Sequence, residues 1–432
     1  MDPITESMVA QSQQLTKEMK ELIERKDIFM TVELNNAEYK YVLVGGGMGA
    51  GYATLGIRDH DEDGSILIIS RDVDAPYERP ALSKLLWLDD EFKVEDTKIG
   101  AEESDVDFAF ERNVVDISPG DKTLTLENGD VVRYEKLLLS TGGEPMSIEG
   151  PEDDDVIVFR RLEDYRQLRK NSGDNEHVVI VGGGYIGSEL AMSLSQNNTK
   201  VTIVYPQEYL GETMFPEELL EEYNQLFTDH GVELMSQKEA DSYRREGDQL
   251  ILTLDDGSEV TGDAIAIGLG VKPRLELPQK AGLDISQDGV VVNEKLQSSD
   301  ENIYIAGDIA TYPDQILGQQ RIEHVDHARN SGRTVGEIMA GADEIYDHTP
   351  YFYSLIYDLS WEAIGTLDPS LETLFDTRKD GHIVFYLDEG ELVGVLLWDV
   401  EVDHDDVRDL LDNPPANNED LIGALEEKEE EE

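Results

Sequence analysis

Short apolar runs recur along the chain at residues 41–44, 66–69, 137–139, 178–181, 200–204, 264–267 and 303–305. Each is short for a helix and too continuous for a sheet with one wet face. They predict strands of parallel sheets covered on both sides. The small-residue segment that ends near Arg58 and the segment 188–196 predict helices between strands. From about residue 345 the pattern changes. The runs 383–387 and 392–397 lie close together, and 405–411 reads as a terminal helix. That predicts a small antiparallel sheet with helices. No apolar run approaches the ~18 residues needed to cross a bilayer, so no membrane span is expected.

Two of the strands lead directly into glycine-rich turns. Gly45-Gly46-Gly47-Met48-Gly49-Ala50 follows 41–44, and the 66–69 strand then leads to Asp72. Gly182-Gly183-Gly184-Tyr185-Ile186-Gly187 follows 178–181, and the 200–204 strand leads to Glu208. The spacing from first glycine to acid is 27 residues in the first copy and 26 in the second. A glycine at the first position permits the tight turn. The second lets a pyrophosphate approach the backbone at a helix N-terminus, and the small third residue lets helix and strand pack closely. The acid is placed to hold ribose hydroxyls. One such motif is weak, but two copies in strand–turn–helix–strand context are specific.

Leu137-Leu138-Leu139-Ser140-Thr141-Gly142-Gly143 closes the first unit, and Ala264-Ile265-Ala266-Ile267-Gly268-Leu269-Gly270 the second. Ile303-Tyr304-Ile305-Ala306-Gly307-Asp308 then returns to a strand ending in an acid. The first unit is therefore split, with the second inserted. The expected fold class is α/β: two three-layer, Rossmann-like dinucleotide-binding domains, one inserted in the other, plus a small α+β C-terminal domain. The expected segments are a polar, helical N-terminal extension (1–38), a first dinucleotide domain (39–154 and 278–342) and an inserted domain (155–277). A C-terminal interface domain (345–412) and an acidic tail (413–432), expected to be unpacked and solvated, complete the chain. Two dinucleotide sites on one chain imply electron transfer between two dinucleotides.

Charge and cysteine content narrow the chemistry. Lys and Arg number 35 against 95 Asp and Glu, for a net charge of −60. The last seven residues, six Glu and one Lys, supply little of it. Charge this widespread disfavours nucleic acid and anionic lipid as partners. It also strains the compact state unless salt screens it, so a salt-adapted, halophilic, cytoplasmic protein is expected. The first thirty residues mix acids with bases and lack both the apolar core of a secretion signal and the acid-poor bias of a transit peptide. There is no cysteine, which removes structural disulfides, thiolate metal sites and thiol catalysis together. No metal site is expected.

The motifs resemble the two-dinucleotide flavoprotein reductases of the glutathione-reductase type, the pyridine nucleotide-disulfide oxidoreductase family. Ala75-Pro76-Tyr77-Glu78-Arg79-Pro80-Ala81-Leu82-Ser83-Lys84, Glu323-His324-Val325-Asp326-His327-Ala328-Arg329 and Pro350-Tyr351-Phe352-Tyr353-Ser354 look like monodehydroascorbate reductase. Trp361-Glu362-Ala363-Ile364-Gly365 looks more like apoptosis-inducing factor. The resemblance implies FAD on Gly45, Gly47 and Ala50, with Asp72 on its ribose, and with Arg79, Lys84, Val114, Arg160 and Asp308 also in contact. It implies that Lys84 and Glu189 pair beside the flavin. Glu323 and His324 would open a helix aimed at the flavin, with Tyr353 covering it. For His324 and His327 an interior, hydrogen-bonded role is the alternative.

The resemblance places a nicotinamide dinucleotide on Gly182, Gly184, Gly187, Glu189, Glu208 and Gly270. No Lys or Arg lies between Tyr205 and Gln237, so nothing local could pair with a 2′-phosphate, and NADH rather than NADPH is expected. The family's ribose acid aligns with Gln207, one place before Glu208. Arg329 and Tyr353 match the substrate contacts of monodehydroascorbate reductases; a helix-surface ion pair is the other reading of Arg329. Without cysteine, the acceptor is expected to be something other than a disulfide: a small redox protein of ferredoxin or rubredoxin type, a quinone or an organic radical. Two alternatives stand beside this reading, a monodehydroascorbate reductase and a redox-sensing interaction protein like apoptosis-inducing factor. A homodimer is compatible with all three.

Overall fold

The computed structural model describes residues 34–286 and 288–428, so the helix expected in the first thirty residues lies outside the described residues. The first sheet begins with β1 (Ala37–Val44), followed by helix α1 (Met48–His60) and β2 (Ile66–Ile69). Strands β3 (Asp107–Ala109), β4 (Val114–Ser118), β5 (Thr123–Leu126) and β6 (Val131–Leu139) complete its order, β3-β2-β1-β6-β5-β4. Strand β6 is shared along its length. Its first residues pair antiparallel with β5, and Leu137–Leu139 pair in parallel with the strand Ile303–Ile305 from much later in the chain. All four residues of β2 are buried, as are Val42 and Leu43 of β1 and Leu137–Leu139 of β6. This is the two-sided burial that continuous apolar runs require.

The second sheet has order β10-β9-β8-β11-β7, all parallel, from β7 (Val156–Val158), β8 (His177–Val181), β9 (Lys200–Val204), β10 (Glu233–Met235) and β11 (Ala264–Ile267). Helix α2 (Tyr185–Gln196) follows β8, and α3 (Glu217–Asp229) lies between β9 and β10. A three-stranded antiparallel sheet (Ala240–Glu246, Gln249–Leu254, Glu259–Gly262) packs apolar residues such as Leu250 and Leu252 against it.

Helix α4 (Val325–Ala340) returns to the first sheet and crosses α1 at backbone contact distance. A Cβ on Gly336 would lie 2.1 Å from the Ala53 carbonyl oxygen, and one on Gly332 2.6 Å from that of Gly49. Only glycine lets the two helices approach so closely. Their N-termini thereby come together on one cavity.

The C-terminal sheet is antiparallel, in the order β12-β13-β16-β15-β14. Its strands are β12 (Tyr351–Ile356), β13 (Leu359–Gly365), β14 (Glu372–Thr377), β15 (His382–Asp388) and β16 (Glu391–Trp398), backed by α5 (His404–Asp412). Strand β12 packs on α2 and so carries the 350–354 motif to the inserted unit.

The tail departs from the solvated end expected of it. Leu421 and Leu425 are buried in the C-terminal core, Arg378 donates to the Leu425 carbonyl, and the Gly423 N–H donates to Asp376. The acid count hid two leucines spaced to reach the same apolar pocket. Leu421→Ala should cost about 2–5 kcal/mol; an unchanged urea unfolding midpoint would show that the tail contributes nothing. Among the described residues no helix is long and apolar enough to cross a membrane.

Candidate active site

Three helix N-termini converge on one cavity of about 720 Å³. They are Gly47–Met48 of α1, Gly184–Tyr185 of α2 and His324–Val325 of α4, and each brings the positive end of a helix dipole. The wall holds eight cations (Arg71, Arg79, Lys84, Arg112, Arg160, Arg161, Arg274, Lys280) against five acids (Asp72, Glu189, Glu276, Asp308, Glu323). In a chain with nearly three acids per base, this reversal marks a place built for an anionic ligand.

The first glycine turn fits a diphosphate. Gly45 has φ +128°, and a Cβ there would lie 2.3 Å from the Ser140 carbonyl oxygen. A Cβ on Gly47 would lie 3.2 Å from Arg79 Nη2. Arg79 Nε and Ser140 Oγ are both buried without a hydrogen-bond partner, a costly state that ligand oxygens would relieve. Arg160 pairs with Asp308 at 3.0 Å, yet burial and the nearby charge of Arg79 pull its guanidinium pKa down. Asp72 lies buried at the end of β2. Its carboxylate accepts from the Val73 N–H and the Tyr77 hydroxyl, and Val114 lines the cavity beyond it. Ala50 is fully buried in α1. The residues present fit FAD.

Three segments remote in sequence meet at Glu189. Lys84 Nζ lies 2.5 Å from its Oε1, the Ser83 hydroxyl donates to Oε2 at 2.5 Å, and the Ser354 hydroxyl donates to Oε1 at 2.8 Å. Ser193 on α2 donates in turn to the Ser83 carbonyl. Lys84 and Glu189 are both nearly enclosed, with side chains 12% and 5% exposed. The Lys84 ammonium also lies 5.5 Å from the Tyr353 ring centre, a cation–π distance. Tyr353 lines the cavity, and burial pushes its phenol up to about 12. Ser83 and Ser354 were not singled out from the sequence. They adjoin Lys84 and Tyr353 in the quoted motifs, but no spacing signal links them to Glu189.

His324 caps α4, its Nδ1 accepting from the Asp326 N–H, so that nitrogen is unprotonated. His327 lies in the interior instead. It bonds the Tyr346 hydroxyl and stacks on Tyr312. Burial pushes both imidazoles down to about 4. Unfolding exposes them to ordinary values near 6.5, so below that pH the unfolded chain binds protons that the folded chain refuses. Stability held above about pH 6.5 should fall as pH drops toward 4, by a few kcal/mol in all. His327→Gln should flatten that slope in urea unfolding measured across the window, and an unaltered slope would refute the assignment.

Arg329 does not line the cavity. It pairs with Glu78 at 3.1 Å, and its guanidinium lies 5.7 Å from the Tyr52 ring centre. Glu208 is exposed on the loop after β9, away from the cavity wall. Gly187 meets backbone: a Cβ there would lie 1.9 Å from the Gly182 carbonyl oxygen, so its smallness serves helix–turn packing. Gly182 has φ +109° and packs on Gly268. Gly184 caps α2, and a Cβ on it would meet no atom of the described residues within 4 Å. Gly270 lines the wall nearby with φ +83°. The open space over Gly184, at a helix N-terminus, fits the diphosphate of a second dinucleotide.

Residues 39–332 match the family described as pyridine nucleotide-disulphide oxidoreductase. The chain is 32% identical to monodehydroascorbate reductase 4, peroxisomal, of Arabidopsis thaliana, over 83% of this chain and 79% of that protein. It is 30% identical to apoptosis-inducing factor 1, mitochondrial, of Dictyostelium discoideum, over 88% and 80%. Among solved structures it resembles the reductase in the covalent putidaredoxin reductase–putidaredoxin complex, with a TM-score of 0.80 at 24% identity, over 90% of this chain and 96% of that one.

Proposed function

From the premise that the chain belongs to the pyridine nucleotide-disulphide oxidoreductase family, and is an FAD-dependent NAD(P)H oxidoreductase, we propose that it oxidises NADH and delivers the electrons to a small redox protein or another non-disulfide acceptor. Bound FAD would supply acceptance of hydride from a nicotinamide and release of electrons singly or in pairs. The observation that carries the reading is the buried Lys84–Glu189 pair, lining the same cavity as the helix N-termini of the two glycine turns in a chain without cysteine.

In this reading Gly45, Gly47, Arg79 and Arg160 hold the FAD diphosphate, Asp72 its ribose, and Asp308 the linking chain. Gly184 and Gly270 admit the nicotinamide dinucleotide. Lys84, held by Glu189, presents its ammonium to the flavin and favours negative charge there. The neutral His324 and the α4 N-terminus add a positive dipole end on the same ligand. Tyr353 shields the site from water. The complex in which a similar fold meets putidaredoxin supports a small protein acceptor. Organic-radical reduction is the second reading. It is favoured by the monodehydroascorbate reductase relative and by Arg329 standing near enough to Tyr353 to influence its charge.

The test is an anaerobic titration of the yellow protein with NADH and NADPH, followed by ferricyanide, a quinone, a ferredoxin and monodehydroascorbate in turn. A colourless chain that takes up no FAD would sink the proposal. Gly184→Val supplies a finer check. An added Cβ meets no atom of the described residues within 4 Å, so the variant should fold and stay yellow. NADH should then bind at least about tenfold more weakly, while dithionite still bleaches the flavin. Unimpaired NADH binding would remove Gly184 from the site.

A further inference from the structure

The loop that follows β9 runs directly beside the second glycine turn. A Cβ on Gly183 would lie 2.9 Å from Tyr205 Cβ and 2.8 Å from Leu210 Cδ2. In a dinucleotide fold this loop receives the adenosine ribose, and with it any 2′-phosphate. Glu208 and Tyr209 are exposed on it, and two successive backbone N–H groups such as theirs are what a phosphate would seek. Both are already taken. The Glu212 carboxylate accepts them through Oε2, at 2.7 Å from Glu208 N and 3.1 Å from Tyr209 N.

The nearby cation is held elsewhere. Lys238 runs alongside, its N–H donating to the Tyr205 carbonyl, but its ammonium is paired with Asp256. Gln237 and Gln207 join the same two segments through backbone. Among the described residues the Glu208–Tyr209 donor pair and the Lys238 ammonium are thus both already engaged, and the charges of Glu208 and Glu212 add to the case against a 2′-phosphate.

We propose that Glu212 is a specificity-determining residue: an internal anion on the ribose loop that excludes NADPH and leaves NADH untouched. The inference rests on the reading that the second glycine turn takes a nicotinamide dinucleotide, and it deepens that reading. Glu208, one residue past the family's ribose acid, repels a phosphate by charge alone; Glu212 also occupies the donors. The loop also has an anchor other than Glu212. Asn224 holds Leu210 at both its N–H and its carbonyl.

The experiment compares the wild type with Glu212→Ala and Glu212→Gln. Calorimetry would measure binding of adenosine 2′,5′-bisphosphate and of ADP-ribose, and flavin bleaching would follow NADPH and NADH. Glu212→Ala frees two N–H donors and removes a charge. Its Kd for adenosine 2′,5′-bisphosphate should fall by about tenfold or more, with ADP-ribose and NADH changed by less than about threefold. Glu212→Gln removes the charge and keeps an acceptor, so a smaller gain is expected, and it serves if the alanine variant fails to fold. An unchanged ratio of phosphorylated to unphosphorylated probe, in a variant that still binds ADP-ribose, overturns this inference alone. A wild type that binds neither probe and is bleached by neither nucleotide overturns the nicotinamide reading and this inference with it.

Discussion

Glu189→Ala and Lys84→Ala should each slow NADH-driven bleaching of the flavin by about a hundredfold, with FAD still bound. The carboxylate is almost fully enclosed and accepts from Lys84, Ser83 and Ser354. Its removal frees the Lys84 ammonium from the one anion that fixes it among the described residues. Its removal also costs stability, since breaking a buried pair leaves an uncompensated charge worth about 3–5 kcal/mol. A rate loss in one variant could therefore reflect a loosened fold. The double variant Lys84→Met/Glu189→Leu separates the two effects. Replacing both partners by apolar residues of similar size leaves no orphan charge, so stability should recover relative to either single variant, whereas the bleaching rate should not. Ser354→Ala should lie between, removing one of the three hydrogen bonds to the carboxylate. A double variant that reduces at the wild-type rate would remove the pair from the chemistry.

The parts of this cavity that the sequence disclosed are those whose residues lie close together along the chain. Gly45, Gly47, Asp72 and Gly184 line it and follow from local rules, a turn that needs a positive φ and a phosphate that needs room, while Gly182 and Gly187 serve the turn and its packing. The junction at Glu189 has no local signature. It arises because β12 and the segment before Lys84 both pack on α2, and nothing in residues 350–354 predicts a bond to a helix more than a hundred residues earlier. The tail failed for the opposite reason. Its local signal, abundant acid after two prolines, pointed to solvent, while Leu421 and Leu425 answered to a distant apolar pocket. Arg329 was open to two readings, and its partner Glu78 comes from a segment about 250 residues away. Acids and bases are local facts, but which of them meet is a tertiary one.

Raising KCl from 0.1 to 2 M should lift the thermal midpoint by about 10 °C. Helix α3 shows why. Glu217, Glu218, Glu221 and Glu222 form two like-charged pairs four residues apart, with no base in the helix, and each such pair opposes folding by about 0.2–0.5 kcal/mol at low salt. With 95 acids against 35 bases, such repulsions outnumber the attractions. Salt weakens both. Exposed attractions such as Arg244–Glu259 are worth at most about 1 kcal/mol each, and there are too few bases to supply many. The enclosed pairs, Lys84–Glu189 and Arg160–Asp308 among them, are screened far less. If about twenty such repulsions are relieved, they return roughly 4–10 kcal/mol, and unfolding entropy for a chain of this length converts each kcal/mol to about 1 °C. Screening also sets the shape of the curve. Most of the rise should come as the Debye length falls from ~10 Å to ~3 Å between 0.1 and 1 M, with KCl and NaCl equivalent. Glu218→Gln/Glu222→Gln should raise the midpoint at low salt and reduce its salt dependence. A midpoint flat from 0.1 to 2 M would mean that the acidic surface carries no salt adaptation.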